Sequence, residues 1–171
     1  MLPFTGRAKM VTRLDNLYTL SHISWLRATR SGGKEAPRVG ENESGAMVRI
    51  LLAEDDDSMR VYLARALERS GYEVVPVATG TEALPHINSD RFDLLLTDIV
   101  MPEMDGIELA QYAASAAPDM RIMFITGFAA VTLKAGQAVP QAKVLSKPFH
   151  LRDLVLEVER MFGSESLTGL N

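Results

Sequence analysis

Five side chains of this sequence have the types and the placement for group transfer. Glu54 and Asp55 follow the apolar run Ile50-Leu51-Leu52-Ala53. Asp98 follows Leu94-Leu95-Leu96-Thr97, Thr126 closes Met123-Phe124-Ile125, and Lys147 comes just after Val144-Leu145-Ser146. Carboxylates gathered in one pocket repel, and without compensation one of them keeps a proton at neutral pH. A hard divalent cation removes that conflict. Mg²⁺ takes oxygen ligands, retains waters and commonly uses one or two carboxylates with phosphate oxygens. Asp55 and Asp98 suit direct ligation, Glu54 suits contact through a water, and the main-chain carbonyl of Val100 is a candidate third ligand. Beside such a cation an aspartate is a competent nucleophile towards phosphorus and forms an aspartyl phosphate. Lys147 offers an ammonium for the phosphoryl oxygens. The Thr126 hydroxyl is placed to donate to one of them and to draw its loop inwards. Pro148 after Lys147 opens the option of a cis bond, which a minority of such bonds adopt.

Each feature alone has a plainer meaning. Asp55 to Asp57 alone is a helix-capping run, Lys147 alone an ordinary solvated lysine, and Thr126 alone a common strand-end residue. Their coincidence at several strand ends argues for a site. His22, His86 and His150 are scattered without metal-ligand spacing and are assigned no role.

The elements that must bring these side chains together are legible as alternating periods. Strands are expected at 48–53, 74–78, 92–97, 121–126 and 143–146, as short apolar runs bounded by polar residues. Helices are expected at 58–70, 79–89, 105–117, 128–136 and 151–162. In the first, Met59, Tyr62, Leu63, Ala66 and Leu67 fall on one face. Asp57 is the expected cap of that helix and Gly71 its stop. Thr79 with Glu82, and Asp105 with Glu108, have capping-box spacing. Pro85 is expected to kink or shorten the second helix. Strict alternation with short connections implies an α/β fold: a five-stranded parallel sheet, wound by right-handed crossovers, with helices on both faces. The expected order is the doubly wound, flavodoxin-like 2-1-3-4-5. In that order the first, third, fourth and fifth strands deliver all five side chains to one pocket at their carboxyl ends.

The chain has 171 residues, enough for one domain and an extension. Residues 1–46 carry seven Lys/Arg and four Asp/Glu, net +3; residues 47–171 carry eleven and eighteen, net −7. An acidic folded part argues against nucleic acid as its direct partner. Cysteine is absent, so disulfides and thiolate metal sites are excluded. No apolar run reaches membrane-spanning length. Residues 1–46 are expected to be a disordered extension and linker, ending in the Gly-, Glu- and Ser-rich 31–45, with a targeting segment as the alternative. Met47, directly before the first strand, has the position of a true start. The folded domain is expected over 47–162, with a small polar tail at 163–171 too short for an output domain.

The acidic run after the first strand, Asp98 after an apolar strand, MPEMDG behind it, FITG and SKPF, in this order and spacing, resemble the receiver domain of two-component response regulators. The likeness covers 47 to 162. LLAEDDDSMR, LLLTDIVMPEMDGIELA, IMFITGFAAV and VLSKPFHLRDLV are similar to the single-domain receivers of alphaproteobacteria. The resemblance implies a cytoplasmic, cell-pole-associated regulator rather than an enzyme. It implies phosphorylation of Asp98 with Mg²⁺, by a histidine kinase or histidine phosphotransferase. It also implies an adaptor, active when unphosphorylated, that primes ClpXP through its ClpX unfoldase to degrade cell-cycle substrates. The helix at 128–136, the last strand and the last helix are the expected contact surface. Four departures matter. Val144 stands where receivers carry an aromatic, so the switch is expected either to differ or to rest on Thr126 and the helix after it alone. Glu54 replaces the commoner Asp. Val100 and Phe128, each two residues past a site residue, are apolar and are expected to restrict attacking water. Gly127 leaves room for a donor or a phosphatase. Two rival readings stand beside this one. A haloacid-dehalogenase-type phosphatase needs a second Asp at the position of Val100. A vestigial receiver would serve only as an interaction module.

Overall fold

The computed structural model describes residues 40–42, 45–127 and 129–163. Most of the expected extension, Phe128 and most of the expected tail lie outside the described residues. The elements run β1 (Arg49–Ala53), α1 (Asp57–Arg69), β2 (Glu73–Val77), α2 (Gly80–Ser89), β3 (Leu94–Asp98), α3 (Gly106–Ala116), β4 (Arg121–Thr126), α4 (Ala129–Ala138), β5 (Lys143–Ser146) and α5 (Leu151–Gly163). All strand pairs are parallel and the order is β2-β1-β3-β4-β5, as the alternation implied.

Burial explains the composition of the strands. Central β3 is buried at every position, whereas the edge strands β2 and β5 are partly exposed. Pro76 is tolerated because β2 is an edge and needs no donor on its outer side. Successive residues of a strand point to opposite faces. Leu51, Ala53, Leu95, Ile122 and Phe124 therefore pack in one core with Ala83, Ile87, Leu109, Ala113 and Ala135 from α2, α3 and α4. Ile50, Leu52, Leu94, Leu96, Met123 and Ile125 form the other, with Leu63, Leu67, Leu154 and Val158 from α1 and α5.

The caps place the elements. Asp56, not Asp57, caps α1: its carboxylate accepts from the Met59 N–H at 2.7 Å. Asp57 instead lies in the first turn and pairs with Arg60, because the acidic loop takes one residue fewer than the apolar pattern implied. Gly71 ends the helix region with φ +94°, a left-handed conformation that glycine adopts without steric cost. Thr79 caps α2, but Glu82 reaches back to the Ala78 N–H at 2.8 Å, one residue before the cap. Pro85 lies within α2, which still runs to Ser89. The capping box of Asp105 and Glu108 at α3 is complete. Gly40 and Asn42 pair with the domain. Gly40 accepts from the Val48 N–H at 2.7 Å, and Asn42 Nδ2 donates to Asp93 Oδ1 at 3.2 Å.

Tyr72, between α1 and β2, is 4% exposed. Burial, with a smaller contribution from Glu159, pushes its phenol up to about 12. The unfolded chain ionises near 10, so this stability is complete below pH 10 and is lost as pH rises through 12. Tyr72→Phe is expected to retain about 1 kcal/mol more of its stability than wild type between pH 9 and 11. Urea unfolding at the two pH values checks this, and equal losses in both proteins overturn it.

Candidate functional site

The carboxyl ends of β1, β3, β4 and β5 lie on one edge of the sheet because these strands are all parallel. Glu54 follows β1 and is held by its N–H donating to the Val77 carbonyl at 3.2 Å. Asp98 is the last residue of β3, Thr126 the last of β4, and Lys147 directly follows β5. Lys147 Nζ donates to Asp98 Oδ2 at 2.7 Å and to Glu54 Oε2 at 3.1 Å. Asp98 Oδ1 accepts from the Val100 N–H at 3.2 Å. Carboxylate oxygens of Glu54, Asp55 and Asp98 lie within 4.8 Å of one another.

Burial divides these groups. Glu54 is 1% exposed and forms the inner wall, Asp98 is buried, and Asp55 is exposed at the mouth. Desolvation pushes the Glu54 carboxyl up, with the Asp98 charge adding to it, against Lys147 and a main-chain hydrogen bond from Asp56. Burial pulls the Lys147 ammonium down, but its contacts with Asp98 and Glu54 outweigh this and leave it above the ordinary lysine value. Lys147 is therefore charged at neutral pH. The donor set, oxygen-only with three carboxylates, fits a hard divalent cation such as Mg²⁺.

The other expected residues fall nearby. The Thr126 carbonyl accepts from the Lys147 N–H at 2.7 Å, which ties the ends of β4 and β5. The Lys147–Pro148 bond is cis. Val100 is half exposed at the mouth. Gly127 is exposed, and a Cβ there would stand 3.8 Å from the Lys147 Cβ. Val144 lies opposite Phe124 in the sheet and packs against the core rather than beside the carboxylates.

Three residues of the site do not stand out in the sequence. Gly106 was legible only as a helix start. Its N–H donates to the Ile99 carbonyl at 2.9 Å, and a Cβ there would stand 1.9 Å from the Asp98 carbonyl oxygen. Thr97 Oγ1 donates to the same carbonyl at 2.8 Å. Arg60 donates to the carbonyls of Glu54 and Asp55 at 2.7 and 3.3 Å. Only its spacing from the acidic run, about one and a half helical turns, could have pointed to it.

Fold and site together define a doubly wound α/β module with a carboxylate and lysine pocket at its strand ends. The chain belongs to the response regulator receiver domain family, whose profile matches residues 50–159. It is similar to the response regulator receiver protein CpdR of Brucella abortus, with 60% identity over 116 residues, covering 67% of this chain and 97% of that protein. It is 37% identical over 116 residues to the sensor kinase CckA of the same organism, covering 66% of this chain and 12% of the kinase. Among solved structures, the response regulator TrrA of Thermotoga maritima, in complex with Mg²⁺ and BeF, superposes with a TM-score of 0.60. That match has 29% identity and covers 67% of this chain and 99% of TrrA. Among the described residues no helix is long and apolar enough to cross a membrane.

Proposed function

We propose that this protein is a phosphoacceptor of a two-component phosphorelay, taking a phosphoryl group on Asp98. The observation that carries this is the bridge from Lys147 Nζ to both Asp98 Oδ2 and Glu54 Oε2, with Asp55 beside them. A carboxylate oxygen of Asp98 attacks the phosphorus of a phosphohistidine on a kinase or histidine phosphotransferase. The new P–O bond forms as the donor's P–N bond breaks, and the departing imidazole takes a proton from solvent. Lys147 exchanges its contact with Asp98 for a phosphoryl oxygen, and the Thr126 hydroxyl donates to another. Asp55, Asp98 and the Val100 carbonyl would hold Mg²⁺, with Glu54 acting through water; the cation supplies charge neutralisation at the phosphoryl oxygens. Val100 and Phe128 shield the acyl phosphate from water, and Gly127 leaves the donor an open approach.

The readout is a protein contact. Following the resemblance to CpdR, the unphosphorylated form acts as an adaptor for ClpXP through ClpX. Because Val144 is packed and not aromatic, the change spreads from Thr126 to α4. The likeness to CckA supports a phosphorelay kinase as the source of phosphoryl groups.

Incubation with acetyl phosphate and Mg²⁺, followed by intact mass measurement, tests the chemistry. Addition of one phosphoryl group, prevented by EDTA and mapped to Asp98 by borohydride reduction of the acyl phosphate, is the expected result. Continuous phosphate release without a stable adduct would favour the phosphatase reading. No modification would leave a pocket used only as a contact surface.

A further inference from the structure

The loop between β1 and α1, with the first residue of α1, carries four consecutive acidic residues, Glu54 to Asp57. Such a run repels itself, and left to itself would splay its carboxylates towards water. Lys147 compensates it from the strand-end side only. On the other side stands Arg60, one turn into α1, with its side chain 17% exposed. One guanidinium nitrogen donates to the main-chain carbonyls of Glu54 and Asp55, and another pairs with the Asp57 carboxylate. Asp56 is meanwhile engaged as the cap of α1. Every residue of the acidic run is therefore fixed by a named partner, and Arg60 alone touches three of the four.

The geometry points to Arg60 as a positioning residue for the cation site. It holds the loop backbone so that the Glu54 and Asp55 carboxylates face Asp98, without itself touching a reacting group. The planar fork of a guanidinium reaches several acceptors from one side chain, whereas a lysine ammonium is a point charge. This assignment rests on the Mg²⁺ site proposed above. A merely electrostatic role makes the opposite prediction. A cation near a cation site weakens metal binding, so removing its charge would tighten Mg²⁺.

The test is a Mg²⁺ titration of metal-free protein, read from the amide NMR shifts of Asp55 to Ser58, in wild type, Arg60→Lys and Arg60→Met. Positioning predicts weaker Mg²⁺ in both variants, by about tenfold or more, the range for residues that orient metal ligands. The lysine variant weakens although its charge is kept. In the absence of metal, amide exchange at Asp56 and Asp57 is expected to rise in Arg60→Lys, while Leu95 and Ile125 in the sheet stay protected. Affinities within about twofold of wild type, or tighter binding by Arg60→Met, overturn the assignment and leave the metal site standing. A wild type whose loop amides ignore Mg²⁺ removes both. If Arg60→Met fails to fold, Arg60→Lys decides alone.

Discussion

Asp98→Ala is expected to take up no phosphoryl group from acetyl phosphate, and Lys147→Met to take it up about 10²–10³-fold more slowly, the usual cost of losing one stabilising donor. The two losses differ in kind because Asp98 forms the bond and Lys147 only neutralises charge around it. Intact mass against time separates them: one variant stays flat and the other rises slowly to the wild-type plateau. A Lys147→Met rate equal to wild type would remove the lysine from the chemistry. The lysine variant also carries a stability signature. Lys147 bridges Glu54 and Asp98 at 3.1 and 2.7 Å, so its removal leaves two near carboxylates without a cation. Breaking a fully buried pair costs more, but Lys147 is partly exposed, and about 2 kcal/mol is expected at pH 7. The sign with pH follows from Glu54, whose carboxyl burial already pushes up. Its stability contribution is fully present below the unfolded carboxyl value and is lost as pH rises through the folded one. Lys147→Met is therefore expected to be weakest at neutral pH and to recover towards wild type on acidification. Added Mg²⁺ acts in the same direction at neutral pH.

Gly106→Ala is expected to be among the most damaging single-methyl additions to this domain. A Cβ at 106 would lie 1.9 Å from the Asp98 carbonyl oxygen and 2.9 Å from Ile99 Cα. Both are backbone atoms, so no side chain can swing aside. Either α3 moves out, breaking the Gly106 to Ile99 hydrogen bond, or β3 shifts and takes Asp98 with it. Overpacking of this type costs about 3 kcal/mol, or roughly 10 °C in the melting temperature of a domain this size. The damage reaches function through position, since Asp98 is placed by this backbone. The surviving folded fraction is therefore expected to take up phosphoryl groups more slowly than wild type. A variant with wild-type melting temperature would show that the helix start has slack.

Much of the architecture was legible locally. The three central strands are apolar on both faces because they are covered on both, and the intervening runs have helical period. That alternation gave the sheet order that the structure has. Boundaries were less legible. The apolar stretch from Phe92 fitted a strand start, but pairing begins at Leu94, because Asp93 turns its carboxylate to the N–H of Arg49. Asp57 and Asp56 are chemically equal as caps, and only the packing of Leu63 and Leu67 against β1 fixes which one begins the helix. Residues 40 to 42 fall within the stretch expected to be linker by composition, yet Asn42 meets Asp93 across 51 residues of sequence.

The sequence by itself determined the alternating fold and the kinds of side chain at each strand end. A buried strand must be apolar, so a charged residue at its end stands out, and strand-end loops of a doubly wound sheet share one edge. Only the tertiary structure decided how those groups meet. Lys147 reaches Glu54 across 93 positions and Asp98 across 49. Those distances depend on the register between strands and on how the strand-end loops pack, which no local pattern encodes. The same holds for Gly106 against Asp98 and for Arg60 beneath the acidic loop. Their roles come from a close backbone approach and from a helix orientation, both set when α1 and α3 pack against the sheet.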